Sequence, residues 1–378
     1  MRQKSIALVL DYAPQSWESR DDLHFGICRV MRQRGWGTVI MHSGPIAESV
    51  RQRYLAGAIK LESCNYALGP WHYFRELRRI VRENNVQLAD VCFFNYFDWH
   101  GWMTWFAGIQ HIVYTEVNSG FLRKKDWKFR LLAARGLFMT WPYSHLISIS
   151  GFIRDRLCQL GIARERITVV HGGADTTRFH PDATVRRQVR EELGIADDEV
   201  LLVAVNYLKA YKRMDIQLEA CALLKKRGLR IRLIIAGDGP MRSELEQQAA
   251  RLGLTPGIVT FLGYYTQPQR LLQGADLFLL AAEGEAFGLV LAEAQACGTP
   301  VVVVRSGSFP EIVANGENGW LAEPADANSF ADAIDRLIRD REQLERMRVT
   351  ARRYAEEKFE VSLEVAGTVA VYESIGAL

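Results

Sequence analysis

Several features are missing from this 378-residue chain. No apolar run approaches the roughly 20 residues that a membrane-spanning helix needs. The short run Ile6–Leu10 is not followed by a small-residue cleavage pattern, so it reads as a first strand and not as a signal peptide. The six cysteines, at positions 28, 64, 92, 158, 221 and 297, form no Cys-x-x-Cys pair. That argues against a disulfide framework and for small buried thiols in a reducing, cytoplasmic compartment. No Asp-x-Asp stands near a strand end and no histidines and cysteines cluster at ligand spacing, so no metal site is expected. Gly237-Asp-Gly239 lacks the third glycine of a dinucleotide fingerprint and runs into Pro240. Low-complexity segments are absent too.

What is present is an ordinary globular composition, 48% hydrophobic and 24% charged, with enough chain for two cores. The net charge of +3 is unevenly spread. Residues 1–180 hold 24 Lys and Arg against 15 Asp and Glu, leaving 23 basic against 29 acidic in the remainder. Eight of the nine tryptophans also lie in that first half, so the halves are expected to do different work. Short strand-like runs alternate with amphipathic stretches. In the first half they are Ile6–Leu10, Thr38–Met41, Val91–Phe94, Ile112–Tyr114, Leu146–Ile149 and Ile167–Val170; in the second, Val200–Val205, Arg232–Ala236, Val259–Phe261, Leu277–Leu280 and Val301–Val304. Helical patterns cover Asp21–Arg34, Phe74–Glu83, Lys212–Arg227, Pro240–Leu252 and Phe330–Arg339. This alternation implies βαβ crossovers and parallel sheets, and it occurs twice, with a break near Phe179–Asp182. The expected architecture is α/β, with two Rossmann-like doubly wound domains, residues 1–180 and 181–358, facing a cleft. A last helix within 359–378 is expected to return to the N-terminal domain. Ligands of such sheets bind beyond the carboxyl ends of the strands.

The densest chemistry lies in Ala281–Val302. Strand Leu277–Leu280 runs into a loop carrying Glu283 and Glu285, and a helix is expected to begin near Phe287-Gly288. Free N–H groups at a helix start, with the helix dipole, suit a diphosphate. Glu293 stands eight residues after Glu285, about two turns on, placed to face the same cleft. A carboxylate accepts paired hydroxyls, as a ribose or hexose offers. Alone, two such glutamates read as a solvated loop acid and an ordinary helical residue; the string around them lifts them above that.

That string, with Val205–Asp215, Ile234–Pro240, Val259–Gly263, Ser306–Val313 and Asn315–Leu321 in the same order, resembles the family-4 retaining glycosyltransferases, with their GT-B fold and E-x7-E signature. Segments Ser148–Ser150, Ile167–Val170 and Asp175–Phe179 fit as well. The resemblance implies a retaining, metal-independent transferase that moves a hexose-type sugar from a nucleoside-diphosphate sugar to a glycan, lipid-linked or small-molecule acceptor in carbohydrate biosynthesis. No cofactor is implied; the nucleotide sugar is a substrate. Carried over, Glu285 contacts the donor sugar, Glu293 holds the ribose and Lys212 neutralises the diphosphate as charge develops on it. Phe287, Gly288 and Leu289 belong to the same nucleotide-sugar site, and Tyr264 either abuts the base or packs in the core.

Three departures from the family pattern concern the phosphates and the reaction centre. Tyr207 stands where the family has a phosphate-binding Arg, and a phenol carries no positive charge at neutral pH; Lys209 and Arg213 are the nearby cations. Val117 occupies the slot of a family histidine, leaving Asn118, Glu116, His100 and His111 as polar alternatives. The segment after the first strand, residues 11–22, contains no glycine where the family has a glycine-rich loop, and its Trp17 either stacks on a sugar or packs. These departures keep two other classes open: a nucleotide-sugar-binding protein without transfer, and a nucleotide-sugar epimerase. On the acceptor side, Gly120–Arg135 holds six basic residues and one acid among aromatics. It reads either as a helix packed on the sheet or as a peripheral contact with the inner membrane face. The aromatic run Phe93–Trp105 either lines an acceptor site or fills a core. No nucleic-acid motif accompanies the basic half.

Overall fold

The structure, a computed structural model, describes residues 3–94, 98–118 and 136–378. It divides into two units, one running to Gly172 and including Val361–Leu378, the other Gly173–Glu360.

The first unit is built on seven parallel strands: β1 (Ser5–Leu10), β2 (Gly37–His42), β3 (Lys60–Ser63), β4 (Val86–Cys92), β5 (His111–Glu116), β6 (His145–Ser148) and β7 (Ile167–Val169). Their order is β3-β2-β1-β4-β5-β6-β7. Ile6, Ala7, Leu8 and Val9 are fully buried, because helices cover both faces of a parallel sheet and leave no polar side to alternate with. Helices α1 (Ser19–Gln33), α2 (Glu48–Ala56), α3 (Pro70–Asn84), α4 (His100–Phe106) and α5 (Gly151–Gln159) supply crossovers. Two features differ from expectation. β4 begins at Val86 instead of Val91 and stops before the aromatic pair, where Phe93 takes φ of 70°. β3 goes unpredicted because it is a short edge strand whose Lys60 and Ser63 are exposed.

The second unit has six parallel strands, β8 (Val200–Val205), β9 (Ile231–Ala236), β10 (Val259–Gly263), β11 (Leu277–Leu280), β12 (Val301–Val304) and β13 (Gly319–Ala322), in the order β10-β9-β8-β11-β12-β13. Its helices are α6 (Ala183–Glu192), α7 (Met214–Lys226), α8 (Arg242–Arg251), α9 (Pro268–Gly274), α10 (Leu289–Ala296), α11 (Phe309–Ile312), α12 (Ala327–Arg339) and α13 (Arg341–Lys358). Lys212 does not open α7, as the helical pattern suggested. It ends a 3-10 turn, Ala210–Lys212, and Arg213 in the left-handed region (φ 47°) separates that turn from the helix.

The last helix, α14 (Val361–Ser374), belongs to the first unit. It approaches α1 closely because Gly26 has no side chain; a Cβ there would lie 2.6 Å from Val365 Cγ2. Two buried polar links fix the register: Arg20 Nη1 donates to Glu364 Oε1 at 2.6 Å, and the Tyr372 hydroxyl donates to Asp90 Oδ2 at 2.6 Å. Among the described residues no helix is long and apolar enough to cross a membrane.

Candidate functional site

In the second sheet β8 and β11 are hydrogen-bonded neighbours although two strands separate them in sequence. The strand order reverses there, so the loops after both strands leave the sheet side by side, the usual place for a ligand in such folds. One loop is Asn206–Arg213, the other Ala281–Gly288. The Glu283 N–H donates to the Tyr211 carbonyl at 2.8 Å and ties them together.

Across that tie, Lys212 Nζ lies 2.6 Å from Glu285 Oε2, with the two side chains only 12% and 9% exposed. Such a pair is weakly screened by salt, and removal of one partner leaves a buried charge uncompensated, at a cost of about 3–5 kcal/mol. A second pair flanks it. Arg213 reaches Glu283 and also Asp215, with Nη2 to Oδ2 at 3.0 Å. Arg213 is therefore committed to carboxylates and is not a spare cation for a phosphate. A charge alternation already visible in the sequence, Lys212-Arg213 opposite Glu283-x-Glu285, is the signal for this clasp.

The Glu285 loop is buttressed from residues 306–308. The Gly284 N–H donates to Ser306 Oγ at 3.1 Å, the Ser308 N–H to the Glu285 carbonyl at 3.2 Å, and Ser308 Oγ to the Phe287 carbonyl at 3.3 Å. Gly288 caps α10 with φ of 80°, a left-handed conformation that glycine adopts without strain. Leu289 begins the helix, whose first N–H groups have no intrahelical acceptor. The Phe287 ring is buried against Phe359, 5.7 Å between centroids, so it anchors the loop from beneath. Glu285 stands in the loop before the helix, and Glu293, the fifth residue of α10, is half-buried. Tyr207 and Tyr264 are 55% and 63% exposed. The exposed Lys209 ammonium lies 5.1 Å from the Tyr207 ring centroid. This side of the unit thus presents a cation, carboxylates, a helix start and two open phenol rings.

The first unit handles its candidates differently. Trp17 is packed, with Arg53 3.8 Å over its ring, Tyr54 at 5.0 Å, and its Nε1 donating to Asp22 Oδ1 at 2.5 Å. His100 is buried against Trp99 and Phe94, each 3.9 Å away, and desolvation lowers its pKa to about 4, so it is neutral near pH 7. Asn118 is exposed; its N–H donates to Glu116 Oε1 at 2.7 Å and its Nδ2 to the Phe94 carbonyl at 3.1 Å. Burial raises Glu116 from the ordinary carboxylate range to about 7. Val117 lines a small internal cavity with His24, Asp90, Thr115 and Glu364. His111 is half-buried at the start of β5. The basic segment Gly120–Arg135 lies outside the described residues. Of the aromatic run, Phe94 and His100 are core and Trp105 is exposed. Among the described residues no three His, Cys, Asp or Glu side chains converge as a metal-ligand set.

Comparison with known proteins matches each unit separately. Residues 185–354 match the family model of glycosyl transferases group 1, and residues 26–178 that of glycosyltransferase family 4. The D-inositol 3-phosphate glycosyltransferase of Nocardia farcinica is 38% identical over 202 residues, covering 50% of this chain and 44% of that protein. The N-acetyl-alpha-D-glucosaminyl L-malate synthase of Bacillus anthracis is 32% identical over 188 residues, 50% of this chain and 49% of its own. This chain therefore spans about half the length of these two curated relatives. The crystal structure of Anabaena HepE with UDP and glucose superposes with a TM-score of 0.81 at 21% identity, over 99% of this chain and 100% of that one. The fold is that of the GT-B glycosyltransferases, and the two glycosyltransferase family models together match most of the chain.

Proposed function

We propose that this chain of two glycosyltransferase domains is a retaining, metal-independent hexosyltransferase whose donor, a nucleoside-diphosphate sugar, is held by the second unit. The observation that carries the reading is the buried Lys212–Glu285 pair at the sheet's reversal point, beside the start of α10. The Lys212 ammonium would leave Glu285 for the β-phosphate and stabilise the departing diphosphate, while Glu285 accepts hydroxyl hydrogens of the sugar. Glu293 would accept from the ribose, with Tyr207, Lys209, Phe287, Gly288, Leu289 and Tyr264 completing the nucleotide-sugar site. In a retaining transfer the acceptor hydroxyl attacks the anomeric carbon from the face the diphosphate leaves, and its proton passes to a departing phosphate oxygen. On the acceptor side Asn118, exposed after β5, is the accessible candidate, whereas Trp17 and His100 are packed among rings; a glycan, lipid-linked or small-molecule acceptor fits the reading. A cytoplasmic setting at the inner membrane face suits such an acceptor. The HepE structures with UDP-glucose and with UDP make uridine nucleotides the first donors to try.

A thermal-shift panel of nucleoside diphosphates finds the base, because a ligand that binds only the native state raises its melting temperature. With the donor known, Lys212→Ala should lower kcat/KM for transfer roughly 100- to 1,000-fold. Glu293→Ala should weaken nucleotide binding, and Glu285→Ala should cut turnover more than binding. Unchanged kinetics in all three would refute the site. Tyr207 in the place of a cation favours a second reading, a nucleotide-sugar-binding protein without transfer. Tight nucleotide binding with neither hydrolysis nor transfer of any donor would establish that reading instead.

A further inference from the structure

Among the described residues other than glycine that take positive φ, Arg213 is the one inside the candidate site (φ 47°, ψ 45°). In that conformation a Cβ crowds the following carbonyl oxygen, and glycine adopts it without the crowding. The side chain of Arg213 supplies what a glycine could not. Its Nε lies 3.1 and 3.2 Å from the two carboxylate oxygens of Asp215, and its Nη2 3.0 Å from Oδ2. Its Nη1 donates to Glu283 Oε1. One guanidinium thus joins the first turn of α7 to the loop after β11.

The chain is tied to Glu283 on both sides of Lys212. Before the lysine, the Tyr211 carbonyl accepts from the Glu283 N–H at 2.8 Å; after it, Arg213 holds the Glu283 carboxylate. Both ties act two residues from Glu285, the partner of Lys212. A lysine side chain is a flexible four-carbon stem, and ordering it on one carboxylate costs rotamer freedom. With the backbone fixed on either side, only the stem is left to order. Stability does not account for this arrangement. Arg213 and Glu283 are 25% and 30% exposed, against 12% and 9% for Lys212 and Glu285, and ion pairs open to water contribute little. A strained backbone kept beside a buried pair points to placement.

We propose that Arg213 is a positioning residue, whose clasp on Glu283 holds the left-handed turn that brings Lys212 onto Glu285. Resting on the functional reading, the same turn presents Lys212 to the donor phosphate while Arg213 stays on its carboxylates. Acetylation of the full chain by acetic anhydride, read by mass spectrometry and scaled to the exposed Lys226, tests the placement without any nucleotide. Glu285→Gln sets the rate of a released Lys212. Arg213→Gly, Arg213→Ala and Glu283→Ala should each carry Lys212 most of the way to that rate. Melting temperatures should rank otherwise, with Arg213→Gly above Arg213→Ala, because only glycine relieves the turn. Protection of Lys212 retained in Arg213→Gly or in Glu283→Ala overturns the proposal. So does equal labelling of wild type and Glu285→Gln, since no pair is then being held. Titration with UDP separates the proposal from the donor reading. Arg213→Gly should weaken UDP roughly tenfold in the otherwise wild-type chain and add nothing in Lys212→Ala, where it has no lysine to act through. An equal loss in both backgrounds gives Arg213 a contact of its own and overturns the proposal. UDP bound alike by wild type and Lys212→Ala, with Lys212 released as expected, sinks the donor reading and leaves the role of the turn intact.

Discussion

Each unit buries an aspartate at its sheet, Asp90 within β4 and Asp276 just before β11, and the two are accommodated by opposite means. In the second unit Asp276 accepts from Arg186 Nη2 at 2.5 Å, from Arg190 Nη1 at 2.9 Å and from the Leu201 N–H at 2.7 Å. Burial alone would raise its pKa, but the two guanidinium groups and the backbone donor outweigh burial and hold the carboxyl below its ordinary range. In the first unit Asp90 has only neutral partners: the hydroxyls of Tyr372 and Thr115, at 2.6 and 2.7 Å, and the Cys92 thiol at 3.3 Å. Burial dominates there and the pKa stands above the ordinary range. The second unit thus pairs charge both at this aspartate and at Lys212–Glu285, whereas the first, which also buries the Arg20–Glu364 pair, leaves Asp90 to neutral hydrogen bonds. Their pH responses run in opposite senses. Asp276 contributes stability above its unfolded pKa that is lost as pH falls through the folded value; Asp90 contributes stability at low pH that is lost as pH rises through its own.

The comparison breaks first, if it breaks, at Asp276. Asp276→Ala strands two arginines beside β11 and should cost about 3–5 kcal/mol in urea unfolding. Asp90→Asn, whose partners are neutral, should cost clearly less, and equal losses would show that charge pairing does not distinguish the units. Glu116 comes next, because burial lifts it from an ordinary 4.5 to about 7. Between those values the folded state binds the extra proton, so stability should fall as pH rises, by about 3 kcal/mol in all. Unfolding midpoints of Glu116→Gln against wild type from pH 4 to 8 should show that slope removed. A parallel pair of curves would mean Glu116 is ionised in the fold. Tyr372→Phe removes one donor to Asp90 and should cost about 1–2 kcal/mol. If nucleotide binding by the second unit changes with it, the latch of α14 serves more than the first sheet.

How much of this was legible in the sequence follows from what each signal measures. Runs such as Val301–Val304 announce strands because burial on both faces leaves nothing polar to interrupt them. Glu285, Gly288 and Lys212 were named because a diphosphate sugar restricts the chemistry of its neighbours to a few residue types at fixed spacing. The pairings Arg213–Glu283 and Arg186–Asp276 were not named: their partners stand 70 and 90 residues apart, and adjacent charges at either end do not say which of them meet. The aromatic run Phe93–Trp105 split between core and surface for a similar reason. Composition announces rings, but only the packing of α4 decides that Phe94 is buried and Trp105 is not.

Tyr207 is the exception that sharpens the comparison most finely. It is a neutral, 55% exposed ring within the unit otherwise built on charge, in the slot where the resembled family carries a cation. The Lys209 ammonium lies 5.1 Å over its ring, and Arg213 is held by Glu283 and Asp215. A guanidinium at 207 would present two parallel donors to a phosphate, a geometry the phenol cannot imitate. The position is open to solvent, so screening trims the gain to about 1 kcal/mol, roughly fivefold to tenfold in affinity. Titration calorimetry of Tyr207→Arg with the nucleoside diphosphate should show that tightening, reduced at high salt. Tyr207→Phe should bind as wild type does, since the hydroxyl contributes no charge. No gain from the arginine would mean that Lys212 and the start of α10 already neutralise the diphosphate, and that Tyr207 marks a site completed without the second cation.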